Sequence, residues 1–179
     1  MGLFFKDYTC PKCGKVSRVV KWITPTCPYC MPVVIPNYDI IGRVTPVGLN
    51  ATQVGLYRAG LSFTGAHVCE SEQHPDLMRM ATRHAKYQAD HRQQGHQLFD
   101  SRVAELRKTV NTQSFAEIAA ESWERQKDAT PLALGVEMFA CWAASPGHWG
   151  VASKKHKYFG CDMALGSNNI WYACIITGD

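Results

Sequence analysis

The sequence predicts an α+β protein on three observations. Two Cys-x-x-Cys pairs open the chain, helically spaced segments fill its middle, and two strand-like runs close it. At 179 residues, with 46% hydrophobic and 11% aromatic side chains, it is long enough for one ordinary domain and a small module, and disorder is not indicated. The net charge of +4 is local: residues 1–33 carry Lys6, Lys12, Lys15, Arg18 and Lys21 against Asp7, while residues 34–179 hold 14 basic and 14 acidic side chains. The basic excess therefore belongs to the N-terminal piece alone. No apolar run approaches the roughly 18 residues of a membrane span. Met-Gly-Leu-Phe-Phe-Lys-Asp lacks the pattern of a secretory leader, so cytoplasmic synthesis is expected. Gly2 is followed by Lys6 where a myristoylation signal carries Ser or Thr. Asn50-Ala51-Thr52 matches a glycosylation sequon, which means nothing in a chain that is not exported.

Cys10-x-x-Cys13 and Cys27-x-x-Cys30 stand thirteen residues apart. Each pair forms a tight turn whose amides point at the sulfurs, and four thiolates at roughly 2.3 Å satisfy tetrahedral zinc. The β-branched and aromatic residues between Val16 and Ile23 suit strands that bring the two turns together. The arrangement resembles a zinc ribbon, the rubredoxin-like knuckle fold. Iron is the other metal four cysteines accept. Two disulfides would need an oxidising compartment. Zinc in a closed four-sulfur site supplies folding energy and not catalysis. The lysines and Trp22 of this module suit either docking on a protein or, less directly, binding nucleic acid through phosphates and stacking. Nucleic-acid binding would be steeply salt-dependent and lost on charge reversal of Lys12, Lys15 and Arg18.

Residues 34–68 carry Pro36 and Pro46 and glycines at 42, 48, 55, 60 and 65, which predicts an extended linker or docking arm. The last domain is expected over residues 69–179. His74-Pro75-Asp76 reads as a helix start, and Leu77, Met80, Ala81, His84 and Gln88 follow helical spacing to an end near Gly95, with His96 just beyond. A second helix carries Phe99, Val103, Leu106 and Val110 on one face. Ser114-Phe-Ala-Glu117 reads as a capping box opening a third helix with Ile118, Glu121 and Trp123, which gives Glu117 a structural job and leaves Glu121 without one. Thr130-Pro131 opens a nearly apolar helix over 131–144, in which Glu137 is the single charge. Pro146 ends that helix, and Gly147 turns the chain into His148 between Trp142 and Trp149. A turn histidine satisfied locally and a pocket histidine both fit this stretch. After Lys154-Lys-His-Lys157 come strands at 158–165 and 170–176 around Gly166-Ser-Asn-Asn169. A two-residue turn at Ser167-Asn168 would place Cys161 opposite Cys174, as a disulfide or a packed thiol pair.

Residues 74–179 resemble the CAP superfamily, the cysteine-rich secretory, antigen 5 and pathogenesis-related proteins, in particular its bacterial branch. The resemblance rests on the helix from Leu77 followed by Gly95-His96, on Trp142-x-x-Ser-Pro-Gly-His148, and on Tyr158-Phe-Gly160 with Ile170-Trp-Tyr172. It implies an α-β-α sandwich with a small antiparallel sheet and a cleft of two histidines and two acids that holds a divalent metal in some members. By position, His96 and His148 match the histidines and Glu121 is taken as the first acid, with Glu117 its alternate. Ser145 stands where the family places the second acid, and Glu137 is the nearest substitute. Trp149-Gly-Val-Ala-Ser replaces the Arg-x-Asn-Ile-Leu that commonly follows. The resemblance favours a binding or structural module with protein partners met through the ribbon and arm, such as a component of a phage virion. The alternative is a hydrolase in which His96 and His148 hold a second divalent metal and Glu121 is the general base.

Overall fold

The computed structural model describes residues 48–123 and 128–179, together with the backbone of the strands at 5–9 and 16–20. Cys10, Cys13, Cys27, Cys30 and residues 31–47 lie outside the described residues. Contacts divide the chain into two units, 1–34 and 35–179. In the first, β1 (Phe5–Thr9) pairs antiparallel with β2 (Val16–Val20), with Phe5 opposite Val20 and Thr9 opposite Val16.

The second unit is built of helices around a mixed four-stranded sheet. Its elements are α1 (Ala51–Ser62), β3 (Glu72–Gln73), α2 (Pro75–His91), α3 (Phe99–Leu106), β4 (Phe115–Glu121), α4 (Pro131–Ala143), α5 (Pro146–Ala152), β5 (Tyr158–Leu165) and β6 (Trp171–Gly178). The strand order is β3-β5-β6-β4, with β3 parallel to β5 and the other pairs antiparallel. The short parallel strand β3 makes the sheet mixed where an antiparallel one was expected. No helix among the described residues is long and apolar enough to cross a membrane.

Helix α1 occupies part of the stretch whose glycines and prolines predicted an arm. Asn50 caps it, accepting from Gln53 N at 2.8 Å while Gln53 Oε1 accepts from Asn50 N at 3.0 Å. Its glycines serve close packing. A Cβ on Gly55 would lie 2.4 Å from Pro131 Cβ, and one on Gly135 would lie 2.7 Å from Ala59 Cβ, so α1 and α4 approach backbone to backbone. Leu56 and Ala59 are fully buried there. Asp162, also buried, ties α1 to the sheet: Asn50 Nδ2 (3.1 Å) and Thr82 Oγ1 (2.6 Å) donate to one oxygen, and Thr52 Oγ1 (2.6 Å) and Met163 N (2.7 Å) meet the other. Asn50 and Thr52, the sequon residues, thus both bond to Asp162.

Alternation along β5 gives the sheet two faces. Phe159 stacks on Tyr57 at 5.9 Å and Cys161 points at Gln53 O, both toward α1. Gly160 and Asp162 face α2, where Leu77, Met80, Ala81 and Ala85 pack with Leu106, Val110, Cys174 and Ile176. A Cβ at Gly160 would fall 2.1 Å from the Leu77 carbonyl carbon, so only glycine lets α2 lie this close to β5.

Residues 115–121 correct the predicted third helix. They form β4, paired with β6 from Phe115 opposite Gly178 to Glu121 opposite Tyr172. Ser114 caps nothing; it exchanges backbone hydrogen bonds with Asp179 at 3.0 and 3.1 Å. The helix propensity of Ala and Glu yields to long-range pairing with β6 and to packing that buries residues 117–120. The β5–β6 hairpin also departs by one residue. Gly166 N bonds Ile170 O at 2.8 Å and Asn169 takes φ 60°, so the loop has three residues, with a left-handed asparagine at its end. Cys161 therefore faces Ile175, Cys174 faces Asp162, and the two thiols lie on opposite sides of the sheet, both free.

Replacing Gly160 by Ala is expected to lower unfolding free energy by about 2 kcal/mol or more, the usual penalty of overpacking. Gly150, whose added Cβ meets nothing within 4 Å, is the control and is expected to tolerate Ala without loss. Urea midpoints of the two variants check the contrast.

Candidate functional site

His96 lies in the loop between α2 and α3, and that loop is held from several directions. Arg92 ends α2 in a left-handed conformation (φ 53°), Gly95 has φ 151°, and Leu98 has φ 58°. Gln88 Oε1 accepts from Gly95 N at 3.0 Å, and His84 Nε2 lies 2.8 Å from Gly95 O. Gln94 Nε2 donates to Ala119 O of β4 at 3.1 Å. Arg102 of α3 reaches back to Gln97 O through Nε at 3.3 Å and a terminal nitrogen at 3.0 Å. The side chains that pin the loop come from α2, α3 and the loop itself, so His96 is placed by packed elements.

These groups converge on Glu117, in the middle of edge strand β4. Its side chain is 1% exposed. The Arg102 guanidinium grips both oxygens, at 2.9 Å to Oε1 and in a shorter contact to Oε2. His96 Nδ1 lies 3.0 Å from Oε1, His84 Nε2 lies 3.5 Å from it, and the Cys174 thiol lies 3.6 Å from Oε2. Burial pushes the Glu117 carboxyl up, but bonds from Arg102 and His96 and the charges nearby outweigh it, holding it below the usual carboxylate range. A carboxylate only accepts, so His96 carries its proton on Nδ1, and Nε2 is left for a ligand. His84 Nε2 faces two acceptors, Gly95 O and Glu117, and carries a proton for the same reason. Burial lowers the pKa of His84, with Glu117 opposing.

His148 enters from α5. Trp142 is fully buried with its ring edge-on to Phe139 at 5.0 Å, which anchors the end of α4. Ser145 then stands just ahead of α5, Pro146 opens it, and His148 falls in its first turn. The expected helix break is present, but beyond it the chain winds directly into a new helix. Trp149 packs edge-on against Phe63 at 6.1 Å. The His148 ring stands 6.0 Å from that of His96, tilted 45°. Burial and the His96 ring lower its pKa.

The structure thus brings His96, His148 and Glu117 together and leaves Glu121 apart. Glu121 ends β4, exposed overall, with its carboxyl shielded enough to be pushed up and its carbonyl 4.0 Å from the Cys141 thiol. Glu137 accepts from Trp123 N at 2.6 Å. The Ser145 hydroxyl makes no capping bond. Sequence reasoning missed Arg102 and His84. The signal that finds them is Glu117 itself, because a carboxylate buried at mid-strand needs a cation and further donors. Among the described residues no group of three or more His, Cys, Asp and Glu side chains is disposed to hold a metal ion.

No family model matches the chain, and no curated protein matches it. Among solved structures it is similar to an outer surface protein from Borrelia burgdorferi, at 19% identity and a TM-score of 0.48, over 61% of this chain and 77% of that one.

The lowered pKa values set the acid response. As pH falls below about 6.5, the ordinary histidine value, the unfolded chain takes protons that folded His84 and His148 refuse, so stability declines. A second loss begins below about 4.3 as unfolded carboxylates protonate ahead of Glu117. Urea unfolding from pH 7.5 to 5 is expected to show the first decline, and His84→Gln is expected to flatten it.

Proposed function

We propose that the C-terminal unit is a CAP-like binding domain whose cleft, at His96 and His148, holds a ligand without transforming it. The observation that carries this reading is the saturation of Glu117. With Arg102 on both oxygens and two histidines beside it, the carboxylate orients His96 and has no free oxygen with which to take a proton from water. Among the described residues no second acid is placed beside the histidines: Ser145 stands at the family position and Glu137 is engaged by the Trp123 amide. Helices on the two sheet faces, α1 and α2, support the α-β-α sandwich.

Cys10, Cys13, Cys27 and Cys30 are proposed to hold a structural zinc. Their thiolates are the donor set that zinc prefers. The β1–β2 pairing supports this, because Cys10 and Cys13 fall in the connection between Thr9 and Val16. The basic ribbon and the segment after it then serve as the docking surface for protein partners, in keeping with a component of a larger particle such as a virion.

A hydrolase reading draws on the neighbouring rings of His96 and His148. The donor set does not fit it: a catalytic zinc takes three protein ligands, and Glu117 is engaged by Arg102.

Metal content of the purified full chain tests both parts. One zinc per chain is expected, lost on Cys10→Ser with Cys27→Ser and retained on His96→Ala with His148→Ala. Two zinc ions, one of them lost with the histidines, would overturn the binding reading in favour of the hydrolase.

A further inference from the structure

His156 belongs to the connection between α5 and β5 and takes no part in the cleft. Its side chain is 8% exposed. Nδ1 lies 2.8 Å from Asp179 Oδ2, and Nε2 lies 3.1 Å from the Val151 carbonyl oxygen in the last turn of α5. Its backbone N–H donates to Ser71 Oγ at 2.8 Å. A neutral imidazole has one N–H and one lone pair, whereas both atoms facing this ring are acceptors only. The two bonds therefore exist together only when both ring nitrogens carry protons.

We propose that His156 is a proton-dependent latch: as an imidazolium it ties the last turn of α5 to the residue that follows β6, and on losing a proton it lets go of α5. Asp179 is the charged group facing the ring. It also accepts from Lys157 N at 3.0 Å and feels the charge of Lys154. Burial pushes the Asp179 carboxyl up, but the His156 and Lys157 bonds outweigh it, so the carboxylate persists. From α5 and from the turn before β3, the facing groups are the Val151 carbonyl and the Ser71 hydroxyl, neither of which titrates. When one proton leaves, the remaining N–H stays with the carboxylate, since a charged acceptor makes the stronger bond. Nε2 then turns a lone pair toward the Val151 oxygen, and attraction becomes repulsion. The consequence falls on α5, a seven-residue helix that carries His148 in its first turn. Apart from the latch, the end of α5 is tied by His67 N to Ala152 O at 3.0 Å. The latch does not depend on what the cleft binds.

Nitrogen-15 NMR of the histidine rings, combined with amide hydrogen exchange on the full chain across pH, tests the proposal. At low pH the His156 ring is expected to show two bonded N–H protons. As its nitrogens shift to the neutral pattern, exchange protection at Ser153, Lys154 and His156, corrected for intrinsic rates, is expected to fall by about fivefold or more, the loss expected for one hydrogen bond. His156→Gln is expected to show the weakened protection at every pH, without a step. A ring that is neutral while both contacts are present, or protection that does not change as the wild-type ring titrates, would overturn the latch. Both readouts come from the wild-type chain, so neither depends on the variant folding.

Discussion

The constraint on which the second unit depends is the burial of Glu117 with Arg102. A carboxylate at 1% exposure is tolerable only with a cation and hydrogen bonds around it, and Arg102 supplies the cation from α3. The same guanidinium holds Gln97 O, so one side chain joins α3, the His96 loop and edge strand β4. His84 adds α2 through Gly95 O. Loosening this pair would release the loop that places His96 as well as the charge that orients it.

The proposed cleft therefore has a buried floor and a more exposed mouth. The floor is an ion pair whose charges cancel locally, with His96 oriented by it and His84, whose pKa burial lowers, beside it. The mouth is formed by His96, whose side chain is 45% exposed, and by His148 on a short helix. Such a site offers ring nitrogens and aromatic faces in place of a poised acid and base, and the proposal that it holds a ligand without reacting with it rests on that.

Where local chemistry decides the structure, the sequence was legible. His74-Pro75 starts α2, Thr130-Pro131 starts α4, and Pro146 breaks the chain between α4 and α5, all through side-chain caps and the proline ring. The illegible parts are those in which distant partners decide. Residues 115–121 carry a helical composition and a capping pattern, but their partner strand lies more than fifty residues on. The glycines of α1 look like linker punctuation until α4 is set against them. One extra loop residue at Asn169 reverses the faces of Cys161 and Cys174. The site followed the same division: the motif around Trp142 pointed to His148, and Gly95-His96 pointed to its neighbour. Glu117 was ranked behind Glu121 because the capping pattern assigned it a local duty, and nothing in the sequence pointed to Arg102 or His84.

The central claim is that Glu117 and Arg102 act as one buried unit, and a double-mutant cycle of Glu117→Gln and Arg102→Met read by urea unfolding tests it most directly. Each single change leaves a buried polar partner uncompensated and is expected to cost about 3 kcal/mol, while the double variant is expected to lose little more than either alone. Strictly additive losses would contradict the account.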